Sequence, residues 1–80
     1  MINKNVYLET KRWIKTLCKT NLKNLCKDME LSKYETDLIM GYYDGKTLVE
    51  QCMDLNISSW KYTNDLKTIC TKIHNYKSTL

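Results

Sequence analysis

The sequence contains no proline, no alanine and no phenylalanine, and only two of its 80 residues are glycine. Without proline no helix is stopped by a ring lacking an amide hydrogen, so breaks between elements must come from capping and turn chemistry. Tracts rich in Pro, Gly or Ser that would mark a linker are missing, as are repeats and low-complexity segments. No stretch approaches the roughly 20 apolar residues that a membrane span needs, and Met1-Ile2-Asn3-Lys4-Asn5 opens no apolar run of signal-peptide length. The expectation is a soluble, cytoplasmic protein with no membrane partner. The four cysteines, Cys18, Cys26, Cys52 and Cys70, show no close pairing such as C-x-x-C. That argues against a zinc site or a disulfide framework, and for thiols used as small hydrophobes on or beside apolar helix faces in a reducing compartment.

Three helix-start signals stand out between Leu31 and Ile73. Ser32-Lys33-Tyr34-Glu35 and Thr47-Leu48-Val49-Glu50 are capping boxes: the hydroxyl accepts from the amide three residues on, and the glutamate reaches back to the cap's own amide. Asn56-Ile57-Ser58 is a turn in which Asn tolerates a left-handed backbone, Ile plugs the core and Ser caps a further helix. Asp44-Gly45 is a second turn signal, with Gly45 where a helix C-terminus wants positive φ. Gly41 falls inside the preceding helix, where glycine costs about 1 kcal/mol relative to Ala and points to close helix packing.

These signals organise the chain as all-α. One domain is expected over residues 1–80: a basic N-terminal helical segment (1–30) and a helix-turn-helix unit (31–76). From Asn5 to about Met29, apolar residues recur at spacings of three, four and seven, including Val6, Trp13, Ile14, Leu17, Cys18, Leu22, Leu25 and Cys26. They define a long amphipathic N-terminal helix, continuous or broken near Thr20-Asn21. A helix over about 33–43 turns Tyr34, Leu38, Ile39 and Tyr42 inward. A short one over about 48–55 buries Leu48, Cys52 and Leu55, and the last, over about 59–76, buries Tyr62, Leu66, Ile69, Cys70 and Ile73. Period-two alternation is absent from every useful window, so no sheet is expected. Eighty residues support one modest core, burying roughly 60% of the surface that the unfolded chain exposes.

Formal net charge is +4, unevenly spread: residues 1–28 carry +5, residues 29–58 carry −4 and residues 59–80 carry +3. Along the first helix Lys11, Lys15, Lys19, Lys23 and Lys27 recur at every fourth position, a ridge that is either a solvated polar face or a contact for a nucleic-acid backbone or acidic protein. Arg12 beside it can clamp a phosphate or pair with Glu9. Trp13 belongs to the apolar stripe. Trp60 is either core, tucked against the first helix, or an exposed anchor for a protein or for a sugar or base.

The segment from Leu31 to Ile73 resembles the helix-turn-helix of region 4 of bacterial sigma factors and of the sigma-like regulators of phages and mobile elements. The resemblance covers about half of the chain. It rests on a leucine and capping box before the first helix, an aromatic pair with a D-G turn, and T-x-x-E-x-C-x-x-L-N-I-S, read here as Thr47, Glu50, Cys52, Leu55, Asn56, Ile57 and Ser58. Cys52 stands for the small residue packed against the recognition helix, Asn56 for the usual turn glycine, and Tyr62 where Val or Ile is typical. The resemblance implies that the last helix enters the DNA major groove and that its exposed residues Ser59, Trp60, Lys61, Thr63, Asn64 and Lys67 face double-stranded DNA. Ser58 and Ser59 would lie at a positive helix end suited to phosphate, Lys61 and Lys67 would reach phosphate or guanine, and Asn64 adenine. Arg is absent from this helix, and Asp65 is unfavourable there unless it points away.

Nothing in the sequence supports catalysis. Ser58 and Ser59 lack a His or Lys partner at a useful spacing, and His74, the sole histidine, reads as a surface residue without a metal-ligand neighbour. No enzyme, cofactor or metal is expected. The leading expectation is a small DNA-binding transcriptional regulator. The alternative is an interaction module that keeps the same scaffold to bind a host protein such as RNA polymerase or a nuclease. Self-association into a homodimer through the first helix is a further possibility.

Overall fold

The computed structural model describes residues 4–79, which form five helices: α1 (Lys4–Thr16), α2 (Lys19–Asp28), α3 (Lys33–Tyr43), α4 (Leu48–Leu55) and α5 (Ser59–Ser78). Among the described residues there is no strand. Met1, Ile2, Asn3 and Leu80, which the single-domain reading of 1–80 includes, lie outside them.

Both capping boxes form. Ser32 Oγ accepts from the Glu35 amide and Thr47 Oγ1 from the Glu50 amide, each at 3.1 Å, and both glutamates return a bond to the cap's amide. Ser58 caps α5 through a bond from the Lys61 amide at 3.2 Å. Three helices end in one hydrogen-bond pattern, with a left-handed residue followed by an amide that closes a six-residue loop. Leu31 bonds to Cys26, Lys46 to Gly41 and Ile57 to Cys52, around Glu30 (φ 55°), Gly45 (φ 85°) and Asn56 (φ 55°). Gly45 and Asn56 are the residues the turn signals mark. Glu30 is not, since its left-handed backbone conformation is one that side-chain-bearing residues rarely adopt.

α5 is the hub. It packs against α1, α3 and α4, while α2 packs against α3 and α3 against α4. Its inward stripe of Tyr62, Leu66, Ile69, Cys70 and Ile73 is buried as the spacing predicts, and meets Ile14 of α1, Leu22 and Cys26 of α2, and Leu38 and Ile39 of α3. Tyr34, Tyr42, Leu55, Cys52 and Trp13 are half-buried around this core.

The structure corrects three expectations. The long N-terminal helix is two helices, broken at Leu17-Cys18 rather than near Thr20-Asn21. Cys18 is extended and caps α2 without a side-chain bond, so no local signal marks the break. What sustains it is tertiary: the Tyr43 hydroxyl donates to the carbonyl of Leu17, and the Lys15 ammonium donates to the end carbonyls of α3, Tyr42 at 2.8 Å and Tyr43 at 3.2 Å. Groups left orphaned at two helix C-termini are thereby satisfied by each other's side chains. Cys18 is consequently exposed rather than part of the apolar face.

The third correction concerns α4, where Leu48 is exposed rather than buried and the one fully buried side chain is polar, Gln51. Gln51 reaches across to α3 and donates from Nε2 to the Leu38 carbonyl at 2.7 Å. It can do so because Gly41 has no Cβ: an added methyl would lie closer than 3.0 Å to Oε1, Nε2 and Cδ of the amide. The glycine inside α3 thus marks close helix packing, as its position suggests.

Candidate functional site

The residues expected to face DNA lie on α5 and its cap. Ser58, Ser59, Trp60, Lys61 and Thr63 are exposed, while Asn64 and Lys67 are half-buried. Trp60 is 76% exposed, which removes the core alternative for it. With the buried stripe turned inward, the opposite face of α5 carries Trp60, Asn64, Lys67, Thr68, Thr71 and Asn75. Asn64, Lys67, Thr68, Thr71 and Lys72 line one open depression of about 320 Å³. Thr68 and Thr71 are not among the residues that the resemblance implies, although their spacing of four and seven from Asn64 puts them on the same face.

Hydroxyls on this face are partly committed. Thr63 donates to the Ser59 carbonyl at 3.0 Å, Thr68 to Asn64 at 3.0 Å and Thr71 to Lys67 at 2.8 Å. Each oxygen keeps a lone pair, so these threonines present acceptors and methyl groups to a ligand rather than donors.

Asp65, the lone acid of α5, points to the α3 flank. Its Oδ2 accepts from the Tyr34 hydroxyl at 2.6 Å and from the Lys61 ammonium at 2.9 Å. Burial pushes this carboxyl up, but the bonds from Tyr34 and Lys61 outweigh it and hold the group below the ordinary aspartate range. On the same flank Lys72 pairs with Glu35 at 2.6 Å. Lys61 is therefore already engaged, whereas Lys67 lies on the other side of the helix with its ammonium 6.0 Å from the Tyr7 ring centroid on α1.

Tyr7 joins the two basic regions. Lys11 stands 4.9 Å from the same ring centroid, so Lys67 of α5 and Lys11 of α1 flank one aromatic. Burial is the main reason that the Tyr7 hydroxyl is pushed up to about 12. The expected ridge along the first helix is divided by the break and by tertiary partners. Lys11 and Lys15 sit over the Tyr42 ring, Lys15 closes the end of α3, and Lys19 lies 3.5 Å from Asp44. Arg12, Lys23 and Lys27 are exposed and make no ion pair among the described residues, so Arg12 does not take Glu9 as its partner.

A second exposed surface lies on α4, where Val49 is 66% and Met53 76% exposed one turn apart, beside the acids Glu50 and Asp54. Asp54 pairs with Lys46 at 2.7 Å. Among the described residues no group of three or more His, Cys, Asp or Glu could hold a metal ion, and no helix is long and apolar enough to cross a membrane. Comparison of the chain with family models, with curated proteins and with solved structures finds no match.

Proposed function

We propose that this protein is a small DNA-binding transcriptional regulator of the sigma-like helix-turn-helix type, acting by binding rather than by catalysis. In this reading α4, the turn Asn56–Ser58 and α5 are the helix-turn-helix, and α5 is the recognition helix lying in the major groove of double-stranded DNA. The observation that carries it is the outward face of α5: it holds no acid, because the one acid of the helix is turned to α3, and it continues through Lys67 and Tyr7 to Lys11 and the neighbouring Arg12. Ser59, Trp60, Thr63, Asn64 and Lys67 are the residues offered to base edges, and Lys11 and Arg12 those offered to the backbone.

Fluorescence anisotropy on AT-rich duplexes tests this. Three or four phosphate contacts give a salt dependence that weakens binding on the order of 100-fold between about 50 and about 200 mM salt. No binding at the lower salt overturns the reading.

A second reading is favoured by α4. Val49, Met53 and Trp60 are apolar and exposed, and Glu50 and Asp54 repel a phosphate backbone, as suits a surface for a host protein such as RNA polymerase or a nuclease. Capture from bacterial lysate that is lost in Trp60→Ala, with DNA binding unchanged, supports this second reading over the first. Light scattering that finds only monomer at high concentration removes the homodimer.

A further inference from the structure

The geometry points to Asp65 as an internal competitor for phosphate, holding Lys61 at the leading turn of α5 so that a polyanion gains this lysine only by taking it from the carboxylate. The inference rests on the DNA-binding reading and adds to it a residue that restrains affinity for all polyanions alike. Three contacts close the arrangement: Tyr34 to Asp65 at 2.6 Å, Lys61 to Asp65 at 2.9 Å, and the Lys61 ammonium 5.4 Å from the centroid of the Tyr34 ring.

The pair alone would be a poor restraint. An exposed Lys–Asp pair four residues apart is weak, and lysine on the N-terminal side is the less favourable order on a helix. Nor does the helix end explain the aspartate, since Asp65 lies beyond the first turn of α5, where the macrodipole has faded. Tyr34 supplies what is missing. It stands 31 residues away on α3 and fixes the carboxylate, whose residue is only 28% exposed at the side chain, while the lysine side chain stays 52% exposed.

That asymmetry makes an exchange feasible. When a phosphate takes Lys61, Asp65 keeps the bond from the Tyr34 hydroxyl and stays against α3 instead of following the lysine. The exchange sacrifices one exposed ion pair, and the negative charge remains beside the bound backbone. Lys67 and Lys11 have no carboxylate partner among the described residues, so they meet phosphate without such a toll.

The experiment is a double-mutant cycle on the full chain with Asp65→Asn, Lys61→Gln and both together. Asn keeps an acceptor for the Tyr34 hydroxyl, and thermal melting verifies that each variant folds. Two readouts are used: the salt concentration at which each protein leaves a heparin column, and affinity for an AT-rich duplex at low salt. Asp65→Asn is expected to elute later and to bind duplex about three- to tenfold more tightly, whereas in the Lys61→Gln background the same change gives less than about twofold. Equal gains with and without Lys61 would reduce Asp65 to a distant charge and overturn the inference, as would no gain at all. If the wild-type protein is retained on heparin yet binds no duplex, the DNA-binding reading fails, while the heparin cycle still decides the role of Asp65.

Discussion

Replacing Gly41 by alanine is the sharpest test of how α3 and α4 are joined. In an exposed helix interior the change stabilises by about 1 kcal/mol, because alanine loses less backbone freedom on folding. Here the new methyl would fall closer than 3.0 Å to the Gln51 amide, which is 2% exposed and bonded to the Leu38 carbonyl at 2.7 Å. Displacing that amide forfeits a buried hydrogen bond and leaves polar atoms short of partners, about 1–3 kcal/mol, with roughly 1–3 kcal/mol more for overpacking. After subtracting the helix gain, Gly41→Ala is expected to destabilise by about 3 kcal/mol, which lowers the melting temperature of a domain of this size by roughly 12–24 °C. In a Gln51→Ala background the obstruction is gone, so the same substitution should become stabilising by about 1 kcal/mol. Thermal and urea melts of the four proteins give the coupling directly. If Gly41→Ala raises stability equally in both backgrounds, the glycine is not there to admit Gln51, and the account of this interface is refuted.

Three other outcomes follow from the helix ends, the ion pairs and the thiols. Glu30→Gly should raise the melting temperature by a few degrees, because the left-handed conformation that costs a side-chain-bearing residue about 1–2 kcal/mol is open to glycine, whose greater unfolded freedom offsets only part of the gain. Acid titration should expose the carboxylates of α3 and α5. The bond from Lys72 is the main cause that lowers Glu35, and the bonds from Tyr34 and Lys61 outweigh burial in lowering Asp65. Because both folded values lie below the unfolded ones, 4.5 and 3.8, their contribution is intact above those values and is lost as pH falls through the lowered folded range. Melting temperature followed from about pH 6 to about pH 2.5 should therefore drop at the acid end, and drop less in Lys72→Met. A thiol reagent should modify exposed Cys18 first and reach Cys70 only on unfolding, since burial raises that thiol to about 12, with Cys26 likewise raised and protected. Mass spectrometry of partially labelled protein reads the order, and early loss of Cys70 would contradict its placement in the core.

Much of the helical layout is written in short-range chemistry. Ser32 with Glu35 and Thr47 with Glu50 fix two helix starts within four residues each. Gly45 and Asn56 are small or locally hydrogen-bonding residues that tolerate positive φ, and the spacing of Tyr62, Leu66, Ile69, Cys70 and Ile73 selects the buried face of α5. The same spacing placed Asn64 and Lys67 outward. For Trp60 it is indecisive, because a residue in the first turn can fold back on a neighbouring helix; in the structure α1 meets α5 at Lys67 and Lys77, and the indole is left 76% exposed.

Sequence by itself determined that the chain is helical, where three of its helices begin, where two of them stop, and which stripe of the last one is core, since each depends on groups a few residues apart. Tertiary structure alone decided the break at Leu17-Cys18, the burial of Gln51 instead of Leu48, the division of the lysine ridge and the inward turn of Asp65. In every one of those cases the deciding partner stands on another helix: Tyr43 for the Leu17 carbonyl, Gly41 for Gln51, the end of α3 for Lys15, and Tyr34 for Asp65. An orphaned carbonyl, an empty space beside a glycine and a hydroxyl aimed at a carboxylate come into being only when the helices meet, so no local pattern announces them.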